Sequence, residues 1–392
     1  MEIRQTFMNN QKNDFIELEK KELKMLGAHY YLWYGKPAPP ILGMGEWKAG
    51  YANQPVLGEY NSRDPAVISQ HISWAKNAGI DFFIIEWFGP HTWEDVVLRD
   101  YYLTNSSTSE VKFCLHYDSS FAINKFRLDQ FGNQLSFDFD SEYTTAKTKG
   151  QKFLEDFEYL AKTYFNHPQY LKINNRPLVI IYNASLFKNV SDYFERLRAN
   201  MGKRGISLFL VADVICWAGV KLSKKNLAFI WQTSPKETFK IFYRVMRRLS
   251  LNNLAGDIFL SKYFDGITGY NMYSANRTLN FLKNVDKVYQ KFYRYARAHN
   301  LCFIPTVIPG YNDRNLSGLN RPTLEREEGE FYKDFWKIAK KYLDPNLKIA
   351  LITSFNEWHE GTEIEPSKEY GNKYLELTKV FAKELKKEQY EF

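Results

Sequence analysis

The sequence predicts an α/β fold, and three observations support that prediction. Eight short apolar runs with the composition of buried strands are spread along the 392 residues, and most are followed by a helical pattern. The runs are continuously apolar rather than alternating, which is typical of parallel strands covered on both faces. No linker or low-complexity segment separates the units. Eight such units predict a single (β/α)8 barrel, the TIM barrel, with a doubly wound open sheet as the competing fold.

The first half of the chain supplies four of the strands. Residues 1–24 are polar and of mixed charge, so we expect a helical or loosely ordered lead-in to a barrel domain over 25–392. A helix is predicted between the first two strands, with Ser62 or Asp64 as its N-cap, Pro65 near its first position and Gly79 at its end. The predicted strands are 27–35, 80–90, 111–115 and 177–183, and further helices are predicted over 144–165 and 190–201.

The second half continues the same alternation. Its predicted strands are 208–213, 266–271, 302–307 and 348–353, and its clearest helices are 276–298, 325–342 and one at the C-terminus. The pattern is weakest over 214–263, where a basic helix is predicted near 236–249.

Composition excludes several function classes. The formal net charge is +8, but the basic residues are scattered and no nucleic-acid-binding motif accompanies them, so no nucleic acid partner is predicted. No apolar window reaches the roughly 18–20 residues of a membrane span. The first 24 residues lack the apolar core of a signal peptide, which predicts a cytoplasmic location. Cys114, Cys216 and Cys302 lie in separate apolar runs, and we expect small buried hydrophobes rather than disulfides or metal ligands.

Aromatic residues are abundant, with 27 Tyr, 30 Phe and 9 Trp. Tyr and Trp combine a flat apolar face with a polar group. Such faces stack on the C–H faces of sugar rings. The aromatic content therefore favours an oligosaccharide or polysaccharide as the binding partner.

Polar residues follow most of the predicted strands at their C-terminal ends. They are Glu86, Trp87, His116, Asp118, Tyr182, Asn183, Asp213, Tyr311, Asp313 and 357–360. Each could be an ordinary capping or turn residue, and Asp213 alone is best explained that way. In a barrel, however, these ends meet on the one face that carries catalysis. Their convergence predicts an active site there.

The densest group of polar residues follows the eighth strand, over 353–366. This segment holds four glutamates with Asn356, Trp358 and His359 between or beside them. A solvated acidic loop is the alternative explanation, but an exposed loop has little use for an indole. Glu357 and Glu360 are candidates for the two carboxyls that cleavage of a glycosidic bond needs. Because residues i and i+3 of a strand face opposite ways, the pair converges only if the chain turns after Phe355.

Other enzyme classes fit less well. A metal-dependent hydrolase would use His116, Asp118, His359 and Glu360, but no HExxH or other tight ligand spacing is present. A serine hydrolase lacks its Gly-x-Ser-x-Gly turn, and no glycine-rich phosphate loop occurs. We therefore predict neither a metal nor a cofactor. A carbohydrate-binding protein without catalysis is the alternative from another class, although paired carboxyls would be superfluous in it.

The segment from Ser354 to Glu365, SFNEWHEGTEIE, resembles the catalytic segment of glycoside hydrolase family 99, the endo-α-mannosidases and endo-α-mannanases. It also resembles related bacterial surface-polysaccharide proteins that carry the label glycosyltransferase. Three further segments agree in order: 30–35 (YYLWYG), 78–89 (AGIDFFIIEWFG) and 309–313 (PGYND). With the first strand, the resemblance extends over 27–366.

The resemblance implies a mechanism that retains the anomeric configuration without a metal. Glu357 matches a base that deprotonates the sugar's own 2-hydroxyl, so that a 1,2-anhydro sugar forms. Glu360 matches the acid that protonates the leaving group and then activates water. The other predicted substrate contacts are Tyr31, Trp33, Glu86, Trp87, His116, Asp118, Tyr270, Tyr311, Asp313, Asn356, Trp358 and His359.

The chain departs from the family at one of these positions. Asp118 stands where the family has a glutamate after its third strand, in a His-x-Glu segment. This departure bears on the contacts at that subsite and hence on specificity for mannose. The absence of a secretion signal favours the polysaccharide-biosynthesis branch, in which the enzyme either hydrolyses or transfers.

Overall fold

The computed structural model describes residues 23–35, 47–125, 137–214, 254–273, 278–316 and 321–387. Within these ranges, parallel strands surrounded by helices form the predicted (β/α)8 barrel, which is confirmed. The barrel strands are β1 (Leu23–Tyr30), β2 (Phe82–Trp87), β3 (Lys112–Tyr117), β4 (Arg176–Ile181), β5 (Phe209–Asp213), β6 (Gly266–Thr268), β7 (Cys302–Ile304 and Thr306–Val307) and β8 (Leu347–Ile352). Neighbouring barrel strands pair in parallel throughout.

The seventh strand closes the barrel because it is divided at Pro305. Its first segment pairs with β6 and its second segment pairs with β8. Proline has no N–H to donate, but its carbonyl still accepts a hydrogen bond, from Leu351 N at 2.9 Å. The β8 strand pairs in turn with β1, so the sheet returns to its first strand.

Helices cover the outside of the sheet. They are α1 (Pro65–Asn77), α2 (Lys149–Thr163), α3 (Ser191–Gly202), α4 (Leu254–Tyr263), α5 (Phe281–Ala298), α6 (Glu330–Lys340) and α7 (Lys373–Lys386). Of the two predicted N-caps, Asp64 is the one that caps α1, since its carboxylate accepts from Ala66 N at 2.8 Å. No helix among the described residues has the length and apolarity needed to cross a membrane.

Several predicted boundaries are wrong. Strand β1 ends at Tyr30, not at residue 35, and it begins at Leu23 because its pairing with β8 starts there. Helix α2 begins at Lys149, since residues 142–148 form a small antiparallel hairpin and Thr148 caps the helix. The sequence also missed the short helical turns between β2 and β3, Trp93–Val97 and Leu98–Tyr102.

Some expectations lie outside the described residues. They are Cys216, the basic helix near 236–249 and nearly all of the lead-in over 1–24. The division into a lead-in and a barrel domain at residue 25 stays a prediction. Cys114 and Cys302 are buried and free, as expected of small hydrophobes.

Candidate active site

The chain turns sharply after β8, and this turn presents the two candidate carboxyls. Backbone bonds close it, from Ser354 N to Thr362 O at 2.8 Å and from Thr362 N to Glu357 O at 3.2 Å. Gly361 has a φ of +60°, and a Cβ there would lie 2.8 Å from the carbonyl oxygen of Asn312. Only glycine fits both conditions without strain. The turn expected after Phe355 is therefore present.

The carboxyl of Glu357 is held by backbone amides. It is 2% exposed, and its Oε1 accepts from His359 N at 2.9 Å and from Glu360 N at 3.3 Å. Burial raises the pKa of Glu357 well above its ordinary value, the nearby Glu360 raises it further, and the two amides oppose both effects. An N–H group can only donate, so these amides favour the carboxylate form.

The carboxyl of Glu360 is held by side chains instead. Its Oε1 accepts from the Tyr311 hydroxyl at 3.3 Å, and its Oε2 from the Tyr270 hydroxyl at 3.4 Å and Asn271 Nδ2 at 3.3 Å. Burial raises the pKa of Glu360 to about 7, although the positive charge of Arg321 opposes the shift. A carboxyl with that pKa can both give and take a proton near neutral pH.

The ends of β2 and β3, beyond β1 in the sheet order, carry a second group of polar side chains. A hydrogen bond of 2.8 Å joins Glu86 Oε2 to His116 Nδ1, and His116 Nε2 lies 3.8 Å from Asp213 Oδ2. Asp118 caps the short helix that follows β3, with Oδ1 accepting from Ser120 N at 2.7 Å, and it also hydrogen-bonds with Glu86.

Burial governs the protonation states in this group. It raises the pKa of Glu86 well above its ordinary value, and it raises the pKa of Asp118 to about 7, where the Glu86 charge adds to the shift. Burial also lowers the pKa of His116, against the pull of Asp213 and Asp118. Neutral imidazole and partly protonated carboxyls are therefore expected here at neutral pH.

One group of described residues has the donor set of a metal site. The side chains of His29, Glu86 and His116 are buried, and their ligand atoms lie within 4.8 Å of one another. Two imidazoles and a carboxylate suit a first-row transition metal. The ligands differ from the four considered from sequence, of which only His116 recurs. His29 was missed altogether, although its place two residues before Tyr31 on a buried strand was the available signal.

Aromatic side chains form a wall next to the carboxyls. The Tyr31 hydroxyl donates to the Tyr270 hydroxyl, and the Tyr31 ring lies 4.3 Å from the ring of Trp33. The ring of Tyr270 also meets those of His29 and His116, at 4.9 and 6.2 Å. The structure thus brings three of the predicted aromatic contacts together.

Asn356 faces away from the site. Its Oδ1 accepts from Tyr31 N at 2.8 Å, and its Nδ2 donates to Tyr31 O and to the Tyr60 hydroxyl. These bonds use its Oδ1 and Nδ2, and its contact with substrate stays a prediction. Its amide instead fixes the turn against the end of β1.

Trp358 and His359 lie behind the turn. Trp358 Nε1 donates to Glu365 Oε2 at 3.0 Å, and His359 Nδ1 donates to Gly50 O at 2.9 Å. Both side chains are buried. They pack behind the turn that carries the carboxyls, and their contact with substrate stays a prediction.

Trp87 is also corrected. Successive residues of a strand face opposite sides, and the register pairs Glu86 with His116 on the inner face. Trp87 therefore points outward, where Nε1 donates to Asp95 Oδ1 at 2.8 Å and its ring packs on Tyr117. It is fully buried and lines no sugar subsite.

Two further residues at the site were not predicted. Asn271 follows β6 and Arg321 lies beyond β7, near Tyr311 and Asp313. The polar character of Asn271 next to the predicted Tyr270 was a usable signal. Arg321 lies in a loop whose sequence shows no recognisable motif, so no sequence signal pointed to it as a site residue.

A closed barrel whose last strand leads into one buried and one half-buried carboxyl, each bonded differently, has the arrangement expected of a barrel glycoside hydrolase. The sequence matches the family described as glycosyltransferase WbsX over residues 52–378, and the chain belongs to that family.

Relatives and solved structures agree with this assignment. Mouse glycoprotein endo-alpha-1,2-mannosidase is 24% identical over 93% of this chain and 75% of its own length. The human glycoprotein endo-alpha-1,2-mannosidase-like protein is 25% identical over 93% and 76%. The family 99 endo-alpha-mannosidase of Bacteroides thetaiotaomicron superimposes with a TM-score of 0.58 at 22% identity, covering 92% of this chain and 97% of that one. A glycoside hydrolase-like protein gives 0.66 at 23% identity, covering 93% and 95%. The predicted resemblance to family 99 is confirmed.

Proposed function

We propose that the protein is a retaining glycoside hydrolase or transglycosidase acting on α-linked, mannose-containing glycans. The observation that carries the proposal is the unequal bonding of two neighbouring carboxyls: amides hold Glu357, whereas hydroxyls and an amide side chain hold Glu360. The names of the endo-mannosidase relatives support the class of sugar.

Glu357 is the base in this proposal. Its two N–H donors stabilise the carboxylate, which is the form that can take a proton from the sugar's 2-hydroxyl. The 2-oxygen then attacks the anomeric carbon, the bond to the leaving oxygen breaks, and a 1,2-anhydro sugar forms.

Glu360 is the acid in the first step and the base in the second. It gives its proton to the leaving oxygen, and it then takes a proton from water as the water opens the anhydro ring. Glu357 returns its proton to the 2-oxygen, so both carboxyls regain their starting states. A pKa of about 7 suits both of the tasks of Glu360.

The β2–β3 side recognises the sugar hydroxyls. A hydrogen bond joins Glu86 to His116, and His116 Nε2 has no hydrogen-bond partner among the described residues, so that atom is available to a ligand. Tyr31, Trp33 and Tyr270 supply the ring faces. The side chain of Asp118 is one methylene shorter than the family's glutamate and serves as a helix cap, so its contact with sugar runs through Glu86.

Glycosyl transfer is the second candidate activity, and the description of the matching family favours it. A sugar hydroxyl can open the same anhydro intermediate in place of water. We place the enzyme in the metabolism of surface polysaccharides, in the cytoplasm, and cell fractionation with an antibody against the chain tests that location.

Replacing Glu360 with Gln tests the proposal. The variant cannot protonate the leaving oxygen, so we expect activity on alkyl α-mannosides to fall about 10²–10⁴-fold while aryl mannosides with good leaving groups are spared. Product analysis with and without an acceptor sugar separates transfer from hydrolysis.

A matched control is Glu155→Gln, since Glu155 is an exposed carboxyl on α2 that pairs with Lys147. Full activity of the Glu360 variant on alkyl substrates would overturn the proposal. Binding of an oligosaccharide panel with no turnover by the unmodified protein would favour a carbohydrate-binding protein instead.

A further inference from the structure

Arg321 stands at the centre of a small polar network beside Glu360. Its Nη2 donates to the Tyr311 hydroxyl at 2.8 Å, and its Nε donates to Asp313 Oδ2 at 2.5 Å. The Tyr311 hydroxyl lies 3.3 Å from Glu360 Oε1. Arg321 thus contacts the acid/base candidate through one intervening hydroxyl.

The direction of the Tyr311 proton decides what this network does. A phenol has one proton, and two carboxyls compete for it here: Asp313 Oδ2 at 3.2 Å and Glu360 Oε1 at 3.3 Å. Arg321 already donates to Asp313 Oδ2, which weakens that oxygen as an acceptor. Arg321 Nη2 also pairs with Asp313 Oδ2, and it donates in addition to the hydroxyl oxygen of Tyr311. The proton of Tyr311 is therefore left to point at Glu360.

Packing fixes the rings in that orientation. Tyr273 stacks on Tyr311 with 3.6 Å between ring centroids and 8° between planes. The guanidinium of Arg321 lies 5.5 Å and 5.6 Å from the centroids of these two rings. Tyr273 is itself tied by its hydroxyl to Pro322 O at 2.6 Å. This packing holds the hydroxyl oxygen of Tyr311 beside Glu360.

We propose that Arg321 is a positioning residue for Glu360, holding Tyr311 as a donor to the Glu360 carboxylate and so strengthening that group as an acid. The inference rests on the proposed function, because it presupposes that Glu360 is the acid/base. It adds a residue outside the strand-end motifs to the proton-transfer machinery.

Charged and titratable groups reach Glu360 from several elements. They are Glu357 on its own turn, Tyr31 after β1, Glu86 on β2, Tyr270 and Tyr273 after β6, and Tyr311, Asp313 and Arg321 after β7. Of these groups, Arg321 carries a permanent positive charge, and it lowers the pKa of Glu360 against the effect of burial.

The network acts at the step in which Glu360 gives up its proton. The proton moves to the leaving oxygen, the glycosidic bond breaks, and Glu360 becomes a carboxylate. Tyr311 then donates to an anion and Arg321 lies close to it, so both favour this state. When Glu360 later takes the proton of water, the same contacts return to their starting arrangement.

The pH dependence of kcat/KM in Arg321→Gln tests the inference. Loss of the cation raises the pKa of Glu360, so we expect the alkaline limb to move upward by about one pH unit. A weaker acid lowers kcat about tenfold on alkyl mannosides and much less on aryl mannosides. Arg321→Lys keeps the positive charge but cannot contact both Tyr311 and Asp313 as the guanidinium does. The alkaline limb should therefore return to its position in the unmodified protein, whereas kcat should recover only in part.

Arg204→Gln is the matched control, because the Arg204 side chain is also 37% exposed and pairs with a carboxylate, Glu158, away from the site. Isotope-edited infrared titration of Glu360 gives a readout that does not depend on turnover. An inactive Glu360→Gln variant combined with wild-type profiles for Arg321→Gln and Tyr311→Phe overturns this inference alone. A fully active Glu360→Gln variant overturns the proposed function itself.

Discussion

The carboxyls at the two groups of strand ends differ in their hydrogen-bond partners. On the β8 side, Glu357 and Glu360 each have donors of their own, backbone amides for one and hydroxyls for the other. On the β2–β3 side, Glu86 shares hydrogen bonds with His116 and Asp118.

The difference lies in how each side handles charge. On the β8 side burial also raises the pKa of both carboxyls, but the backbone amides at Glu357 and the cation of Arg321 at Glu360 oppose that shift. On the β2–β3 side burial dominates, and it favours protonated carboxyls and a neutral imidazole. We infer that the first side transfers protons and the second recognises hydroxyls, because a neutral polar surface binds a sugar without the cost of desolvating charge.

The largest effect is expected from Glu357→Gln. The amide cannot take the 2-hydroxyl proton, so kcat should fall at least about 10³-fold with every leaving group, whereas KM changes little. Steady-state kinetics on aryl and alkyl mannosides check this. A loss confined to alkyl substrates would show that the two glutamates have exchanged roles.

A smaller effect is expected from Glu86→Gln on the recognition side. Gln keeps the shape and can still bond His116, but it alters the pairing with Asp118, so kcat/KM should fall about 10- to 100-fold, mainly through KM. The inhibition constant of the product sugar measures the same loss of binding without turnover. A fall in kcat alone, with unchanged binding, would show that Glu86 takes part in catalysis. The division between proton transfer by the β8 carboxyls and recognition by the β2–β3 group would then be wrong.

The smallest effect concerns stability rather than rate. The pKa of Asp118 is about 7 when folded, above the roughly 3.9 of an unfolded aspartate. The folded state therefore binds more protons between these values, and the contribution of Asp118 to stability falls as pH rises from about 4 to 7. Asn cannot ionise and still caps a helix, so Asp118→Asn should lose this slope.

Urea unfolding at pH 5 and pH 8 measures this slope. The quantity to compare is the free energy of unfolding of the variant minus that of the unmodified protein. We expect this difference to be about 1–3 kcal/mol larger at pH 8 than at pH 5. Glu155→Gln, with an exposed side chain, is the control and should show no such difference. An equal pH dependence in protein and variant would mean that Asp118 is ionised throughout.

Patterns local in sequence predicted most of the fold. Continuous apolar runs marked the strands, and Asp64, one of the two predicted N-caps, capped its helix because capping needs only the next few amides. The ends of β1 were wrong because pairing with β8, some 320 residues away in the chain, determined them.

The sequence by itself placed Glu357 and Glu360 together after the eighth strand and gathered Glu86 and His116 at neighbouring strand ends. Strand order and period are local properties, so that much could be predicted. Only the tertiary structure decided that Trp87 faces outward and that Asn356 bonds within the protein. It also brought Arg321 beside Glu360. Such contacts join residues far apart in the chain, and they form only when the closed barrel brings its loops to one face.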